Sequence, residues 1–166
     1  MRALAKPSRL FKGVHMIDAA GYRSEKTTSI FVLEGSRGTA ILDTGSKSSA
    51  EPILRGLREM KGDPDHVRYL LVSHRHTDHA GSAAPLLKDL PKSVACGHRY
   101  TIDALRNPAK INAAAAAMFG EYGEPMEPIT KPSRLLTLES GEVVDLGDLE
   151  VEAIHTPGHT SDHYCF

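Results

Sequence analysis

The chain has 166 residues, of which 40% are hydrophobic and 25% charged, and its formal net charge is −1. This composition is typical of one globular domain and excludes a disordered chain, while the balanced charge argues against extensive binding to a nucleic-acid backbone. No apolar run approaches the ~20 residues of a membrane span, no signal-peptide pattern opens the chain, and Cys96 and Cys165 define no disulfide framework. We therefore expect a cytoplasmic protein with neither a nucleic-acid nor a membrane partner.

The first part of the chain predicts strands that are joined by turns. Mixed apolar character over Leu10–Asp18 predicts a first strand, and glycines bracket the turn between two further strands, Ser29–Leu33 and Thr39–Leu42. The third strand ends in Asp43-Thr44-Gly45, a sequence that is typical of a turn or a helix cap. Apolar residues on one face then predict an amphipathic helix over Ser48–Lys61.

A buried strand leads into a first histidine-rich loop. The apolar run Val67–Val72 predicts the strand, and Ser73–His79 follows it with three histidines and an aspartate. Because alternate side chains of an extended segment share a face, we expect His74, His76 and Asp78 to converge.

The rest of the chain predicts helices first and strands afterwards. Short helices are expected near residues 100–105 and 111–119, followed by an irregular segment, Gly120–Pro132. Strands are expected over Arg134–Leu138, Glu142–Leu146 and Leu149–Ile154, with a hairpin turn at Gly147-Asp148. The last strand leads into a second histidine-rich loop, His155–His163, and we expect the two loops to form one site.

The two loops carry the residue types that a catalytic metal site needs. Catalytic zinc usually has three protein ligands and an open position for water. His74 and His76 supply two ligands, and His159 of the second loop can supply the third. Asp78 and His79 then begin a second metal position, and two metal ions ~3.5–4 Å apart can share a water and lower its pKa towards ~7.

The other histidines indicate less. His15, His66 and His98 are isolated in the sequence, and a lone histidine seldom marks a ligand, so we expect structural roles for them. His163 is the last residue of the second loop, and a role in orienting a ligand is as well supported for it as a structural one.

These motifs resemble those of the metallo-β-lactamase superfamily. The resemblance is carried by Leu42–Gly45, Ser73–Gly81 and His155–Thr160, which occur in the family's order and cover nearly the whole chain. It implies an α/β protein with the αββα four-layer sandwich, formed as a single domain over residues 1–166 with the metal ions at the sheet ends. It also implies the same five ligands, and it makes Asp43 an acid that orients a metal ligand.

The resemblance also indicates what differs in this sequence. The family continues past the second loop to a bridging aspartate and a last histidine ligand, whereas this sequence stops at Phe166, so we expect the sandwich without its C-terminal part. Residues 97–132 are expected to form a helical, lid-like insertion beside the metal ions. The candidates for an apolar pocket there are Tyr100, Met118, Phe119 and Tyr122.

The expected function is hydrolysis of an ester, thioester, amide or lactone carbonyl in a small-molecule substrate. A metal-bound hydroxide attacks the carbonyl, and Asp78 orients the water or handles its proton. We expect two zinc ions per complete site. Iron-dependent redox chemistry, as in persulfide dioxygenases and flavo-diiron proteins, is an alternative, because histidine and carboxylate ligands do not separate zinc from iron. A non-catalytic module, or one completed by a partner, stays an open alternative. The charge balance disfavours a nucleic-acid phosphodiesterase. An oligomer is compatible with the sequence.

Overall fold

A seven-stranded sheet crosses the part of the chain that the computed structural model describes, residues 6–120 and 123–166. Its strands are β1 Ser8–Phe11, β2 Val14–Asp18, β3 Ser29–Glu34, β4 Thr39–Leu42, β5 Val67–Leu71, β6 Val94–Gly97 and β7 Leu135–Thr137. They lie side by side in chain order. The pairs from β1 to β4 are antiparallel, and the pairs from β4 to β7 are parallel.

Helices occupy each connection between the parallel strands. Their bounds are α1 Ala50–Glu59, α2 Thr77–Ala80, α3 Ala83–Asp89, α4 Arg99–Arg106 and α5 Ala109–Phe119. Parallel strands need such crossovers because a tight turn would return the chain in the opposite direction. None of the helices in the described part of the chain has the length and apolar character that a membrane crossing requires.

Two apolar clusters form the core, one on each face of the sheet. Side chains alternate along a strand, so Ile41 and Leu70 enter one cluster, while their neighbours Ala40 and Leu71 enter the other. The first cluster is covered by α1, α3 and α4. Among the described residues, the second cluster receives no helix residue and is covered by hairpins.

Those hairpins are two short antiparallel pairs. The first pairs β8 Val143–Asp145 with β9 Glu150–Glu152, and the second pairs β10 Ile154–His155 with β11 Tyr164–Cys165. The predicted turn between β8 and β9 is confirmed. Because β10 and β11 carry the second histidine-rich loop between them, the loop approaches from the sheet face opposite the helices.

The predicted first strand, Leu10–Asp18, is wrong because the chain reverses within it. β1 and β2 pair antiparallel around a turn at Gly13, whose φ of 73° lies in the left-handed region that glycine adopts without strain. A Cβ there would also lie 2.7 Å from the carbonyl oxygen of Glu34. The predicted Thr39–Leu42 strand is confirmed residue for residue, and the predicted amphipathic helix is confirmed with ends two residues shorter.

Candidate metal centre

The first histidine-rich loop leaves the carboxyl end of β5 and turns into α2. The backbone is extended at His76, with φ −65° and ψ 151°, and the helical turn begins at the next residue. The backbone N–H groups of His79 and Ala80 donate to the carbonyl of His76, which closes that turn. The prediction that Asp78 follows His76 on an extended segment is therefore wrong, and Asp78 lies in the first turn of a helix. An acid in this position is favoured by the helix dipole.

Three imidazole nitrogens from the two loops meet at one point. His74 Nε2 lies 3.2 Å from His76 Nδ1, and His159 Nε2 lies 3.1 Å from the same atom. One ligand atom from each of the three residues lies within 4.8 Å of the others. Tetrahedral zinc with Zn–N bonds of 2.0–2.1 Å places its ligand nitrogens roughly 3.3 Å apart, so the two short distances to His76 fit a metal ion.

The protonation of these histidines suits metal binding. Burial, together with the neighbouring His79 and His76, lowers the pKa of His74 to about 4. Burial also lowers the pKa of His76, and His159 adds to this effect. The two imidazoles are therefore neutral near pH 7, which is the form that donates a nitrogen lone pair to a metal.

Asp43 holds His79 beside the three nitrogens. Asp43 Oδ2 lies 2.8 Å from His79 Nδ1, and Asp43 Oδ1 accepts from the backbone N–H of Ser73 at 2.7 Å. Burial lowers the pKa of His79, but the hydrogen bond and the charge of Asp43 outweigh it and raise this pKa. His79 Nε2 is left facing Asp78, whose Oδ2 lies 3.5 Å away. Asp43 thus contacts one of the predicted metal ligands, which is the contact that an orienting acid would make.

Asp43 reaches this position through an unusual backbone. Its φ of 59° lies in the left-handed region, which aspartate and asparagine tolerate better than most residues. The turn interpretation of Asp43-Thr44-Gly45 is therefore confirmed, and this turn aims the carboxylate at His79. The role of Asp43 in orienting a metal ligand stays a prediction.

A buried acid that the sequence did not single out joins the two loops. Asp162 is fully buried, and its Oδ2 accepts from the backbone N–H of Arg75 at 3.1 Å and from Thr101 Oγ1 at 2.7 Å. Arg75 Nη1 lies 3.0 Å from Oδ1 but outside hydrogen-bonding direction, so this contact is an ion pair without a directed bond. Burial raises the pKa of Asp162, but the hydrogen bond from Thr101 and the charge of Arg75 help to hold it below its usual range.

The isolated histidines lie outside the three-nitrogen group. His15 Nε2 pairs with Glu34 at 2.8 Å, and His66 Nε2 lies 3.1 Å from the carbonyl oxygen of Gly35. His98 accepts from a backbone N–H at the start of α4 and stacks on His155 with 5.2 Å between ring centroids. These are structural contacts, as predicted.

His163 lies closer to the site than those three. Its ring centroid is 5.3 Å from that of His74, and its Nδ1 contacts Thr156 Oγ1 at 2.8 Å. It therefore packs beside a proposed ligand.

A cavity of about 430 Å³ opens beside the histidines. Its lining residues are Arg75, His76, Thr77, Asp78, Ile111, Ala114, Ala115, Met118, Phe119 and His159. Met118 and Phe119 line the pocket as predicted, whereas Tyr100 packs 5.0 Å from the ring of His98 instead, and Tyr122 lies outside the described residues. A larger cavity, of about 530 Å³, lies against α3 and has none of the site histidines in its lining.

The fold and the histidine group define one class of protein. A sequence model of the metallo-beta-lactamase superfamily matches residues 23–166, and the chain therefore belongs to that superfamily. The mixed α/β architecture, with its large sheet and crossover helices, is the metallo-beta-lactamase fold that the sequence predicts.

Individual relatives share the fold over most of this chain. A hydroxyacylglutathione hydrolase from Hahella chejuensis is 30% identical over 140 residues, which are 82% of this chain and 40% of the relative. A metallo-beta-lactamase fold-containing protein from Sulfurisphaera tokodaii is 27% identical over 161 residues, which are 92% of this chain and 57% of the relative. The crystal structure of MEM-A1, a subclass B3 metallo-beta-lactamase from a soil metagenome library, superimposes with a TM-score of 0.78 at 28% identity. The match covers 97% of this chain and 56% of MEM-A1. The chain thus spans about half the length of these proteins.

Proposed function

We propose that this protein is a metal-dependent hydrolase that cleaves an ester, thioester, amide or lactone carbonyl of a small-molecule substrate. The observation that carries the proposal is the convergence of three imidazole nitrogens, from His74, His76 and His159, at the wall of an open cavity. Relatives that are named as a hydroxyacylglutathione hydrolase and a beta-lactamase support hydrolysis as the reaction class.

The proposed ligands of the first metal ion are these three histidines. When bound, zinc lowers the pKa of a coordinated water towards ~7 and polarises a carbonyl oxygen. Asp78 lies on the same cavity wall with 45% of its side chain exposed, so its carboxylate can accept a proton from the attacking water and orient it. Asp43 keeps a proton on His79 Nδ1, which leaves the Nε2 lone pair directed away from Asp43.

Asp78 and His79 are the proposed ligands of a second metal ion. They lie beside the first group, with a His74–His79 ring-centroid distance of 4.1 Å. Among the described residues they are not joined by a third ligand in a group as tight as the first. Zinc, the cytoplasmic location and the lid role of residues 97–132 stay predictions.

Metal analysis of the purified protein tests the proposal. We expect zinc in the protein and hydrolysis of at least one member of a panel of ester, thioester, amide and lactone substrates, with loss of activity on chelation and recovery on adding zinc. Bound iron with oxygen-dependent oxidation of a persulfide would favour the redox alternative. Protein that takes up no metal from either zinc or iron solutions would contradict the proposal and favour a module completed by a partner.

A further inference from the structure

The apolar stripe of helix α5 lines the cavity along its whole length, and only its Ile111 end also packs against the first core cluster. Ile111, Ala114, Ala115, Met118 and Phe119 recur with the spacing of a single helix face, and all five line the cavity. Met118 is 76% exposed and Phe119 49% exposed. A helix in a globular protein usually buries such a stripe against other protein atoms, so α5 presents an apolar surface that a ligand can cover.

The opposite wall of the same cavity carries the proposed metal ligands. His76, Asp78 and His159 lie there, within one continuous space of about 430 Å³, which is a usual size for a small-molecule site. When the carbonyl of a substrate lies at the histidines, the rest of the substrate can extend across the cavity and contact α5. Those atoms meet aliphatic, aromatic and thioether groups.

The charges in the cavity do not favour an anionic group on that side. Among the lining residues that the structure describes, Arg75 is the only lysine or arginine. Its guanidinium lies 3.0 Å from the fully buried carboxylate of Asp162, so its charge is already paired. A carboxylate placed against α5 would lose its hydration without gaining a cation.

We propose, building on the hydrolase function above, that α5 binds the apolar acyl group of an uncharged ester or thioester substrate. In the thioester case, water forms the new carbonyl carbon–oxygen bond, the carbonyl carbon–sulfur bond breaks, and the carboxylic acid and the thiol leave. Ala114 and Ala115 provide the room for the acyl chain because their side chains are single methyl groups. Met118 lies one turn further along the same face and limits the length of the acyl group.

Binding of a neutral acyl analogue tests this inference without metal or turnover. Hexanamide and acetamide are titrated into the metal-free chain with methyl-labelled alanine and methionine, and the methyl NMR shifts are followed. Each buried methylene is worth roughly fourfold in affinity, so hexanamide should bind at least about tenfold more tightly than acetamide. The shifts should occur at Ala114, Ala115 and Met118.

Two variants and a matched control locate the binding surface. Ala114→Leu fills the cavity and should weaken hexanamide binding at least tenfold, and Met118→Ala, at an exposed position that should tolerate substitution, should weaken it severalfold. The matched control is Ala113→Leu, the same alanine-to-leucine change on the opposite, exposed face of α5, and it should leave hexanamide binding unchanged. Equal affinity for the two amides, or unchanged binding in both cavity variants, would overturn the inference.

Turnover separates this inference from the proposed function. With zinc added, hexanoyl esters or thioesters of small neutral alcohols and thiols should be hydrolysed with a higher kcat/KM than the acetyl compounds and than S-acylglutathiones. Hexanamide binding without hydrolysis of any substrate would overturn the hydrolase proposal and leave the acyl site in place. Hydrolysis with a preference for acetyl groups or for S-acylglutathiones would overturn the acyl site and leave the hydrolase in place.

Discussion

The two histidine-rich loops reach the same site from different parts of the structure. The first, Ser73–His79, continues a central strand of the large sheet, and its His74 is 2% exposed. The second, His155–His163, connects two strands of a two-residue pair and presents an exposed His159. The first loop is thus held by the core beneath it, whereas the second depends on a few contacts with the first.

This difference explains the importance of Asp162. Its contact with Arg75, together with the bond from the backbone N–H of Tyr164 to the carbonyl of Ser73, connects the second loop to the first. Its contact with Thr101 connects the second loop to α4. Removing ligands or these contacts should therefore affect stability and metal affinity differently in the two loops.

The largest expected effect is the loss of metal binding when one ligand from either loop is removed. His74→Ala and His159→Ala should each lower zinc affinity by more than the 10–100-fold that is usual for a residue supporting a ligand. His74→Ala should also lower the free energy of unfolding by about 1–3 kcal/mol because its ring is buried, whereas His159→Ala should change it by less than about 0.5 kcal/mol. Zinc analysis after dialysis and urea unfolding of the metal-free proteins measure both effects.

His66→Ala is the control for this pair, since the His66 side chain bonds to the carbonyl of Gly35, away from the histidine site. Its zinc content should equal that of the wild type. Wild-type zinc content in His159→Ala would remove His159 from the ligand set.

Removing the buried acid should have the next largest effect. Asp162→Ala leaves the Arg75 guanidinium and the Thr101 hydroxyl without their partner, and breaking a buried ion pair costs about 3–5 kcal/mol. Zinc affinity should also fall about 10–100-fold because His159 is no longer held against His76. Because the pKa of Asp162 is lowered by folding, its stabilising contribution is present at neutral pH and decreases as the pH falls below the unfolded value of ~3.9.

Asp65→Ala is a matched change at the surface, where Asp65 pairs with Lys92 in solvent. It should cost less than about 1 kcal/mol. If Asp162→Ala and Asp65→Ala unfold at the same urea concentration, Asp162 does not hold the loops together.

A smaller effect is expected within the first loop. In Asp43→Asn the new asparagine tolerates the left-handed backbone and still accepts hydrogen bonds. The substitution removes the charge that raises the pKa of His79. The pKa of His79 in the metal-free protein, followed by NMR titration, should therefore fall. Asp78→Asn should lower it less, since Asp78 contributes less than Asp43. An unchanged pKa in Asp43→Asn would show that the contact does not set the protonation of His79.

The smallest expected effect is a difference in cysteine reactivity between the strands that support the two loops. Cys96 lies in β6 beneath the first loop, and burial raises its pKa to about 12, whereas Cys165 in β11 is exposed. At pH 8 a thiol reagent should therefore modify one cysteine of the native chain rapidly and both in urea. Cys165→Ser should remove the rapid phase and Cys96→Ser should keep it. Equal reaction rates for both thiols in the native protein would show that the strand beneath the first loop opens readily.

Much of the site follows from the sequence because donor type and local spacing are properties of the chain itself. His74, His76 and His159 stand out because each belongs to a dense group of histidines that directly follows a predicted strand, whereas the isolated His66 and His98 have structural contacts. Asp162 does not stand out, because an aspartate in a polar loop looks the same whether it is solvated or buried. Only contacts with Arg75 and Thr101, distant along the chain, distinguish the two cases.

The sequence by itself determined most of the strands and helices and the residue types that are available to bind a metal, since backbone hydrogen bonding and side-chain alternation act over a few residues. The tertiary structure alone decided that Gly13 reverses the first strand, that Tyr100 packs on His98, and that the apolar stripe of α5 faces the cavity. The two loops meet as the sequence predicts, but the contacts that hold them together appear only in the tertiary structure. The relative position of distant segments depends on how two apolar clusters pack on the sheet, and no local pattern encodes that packing.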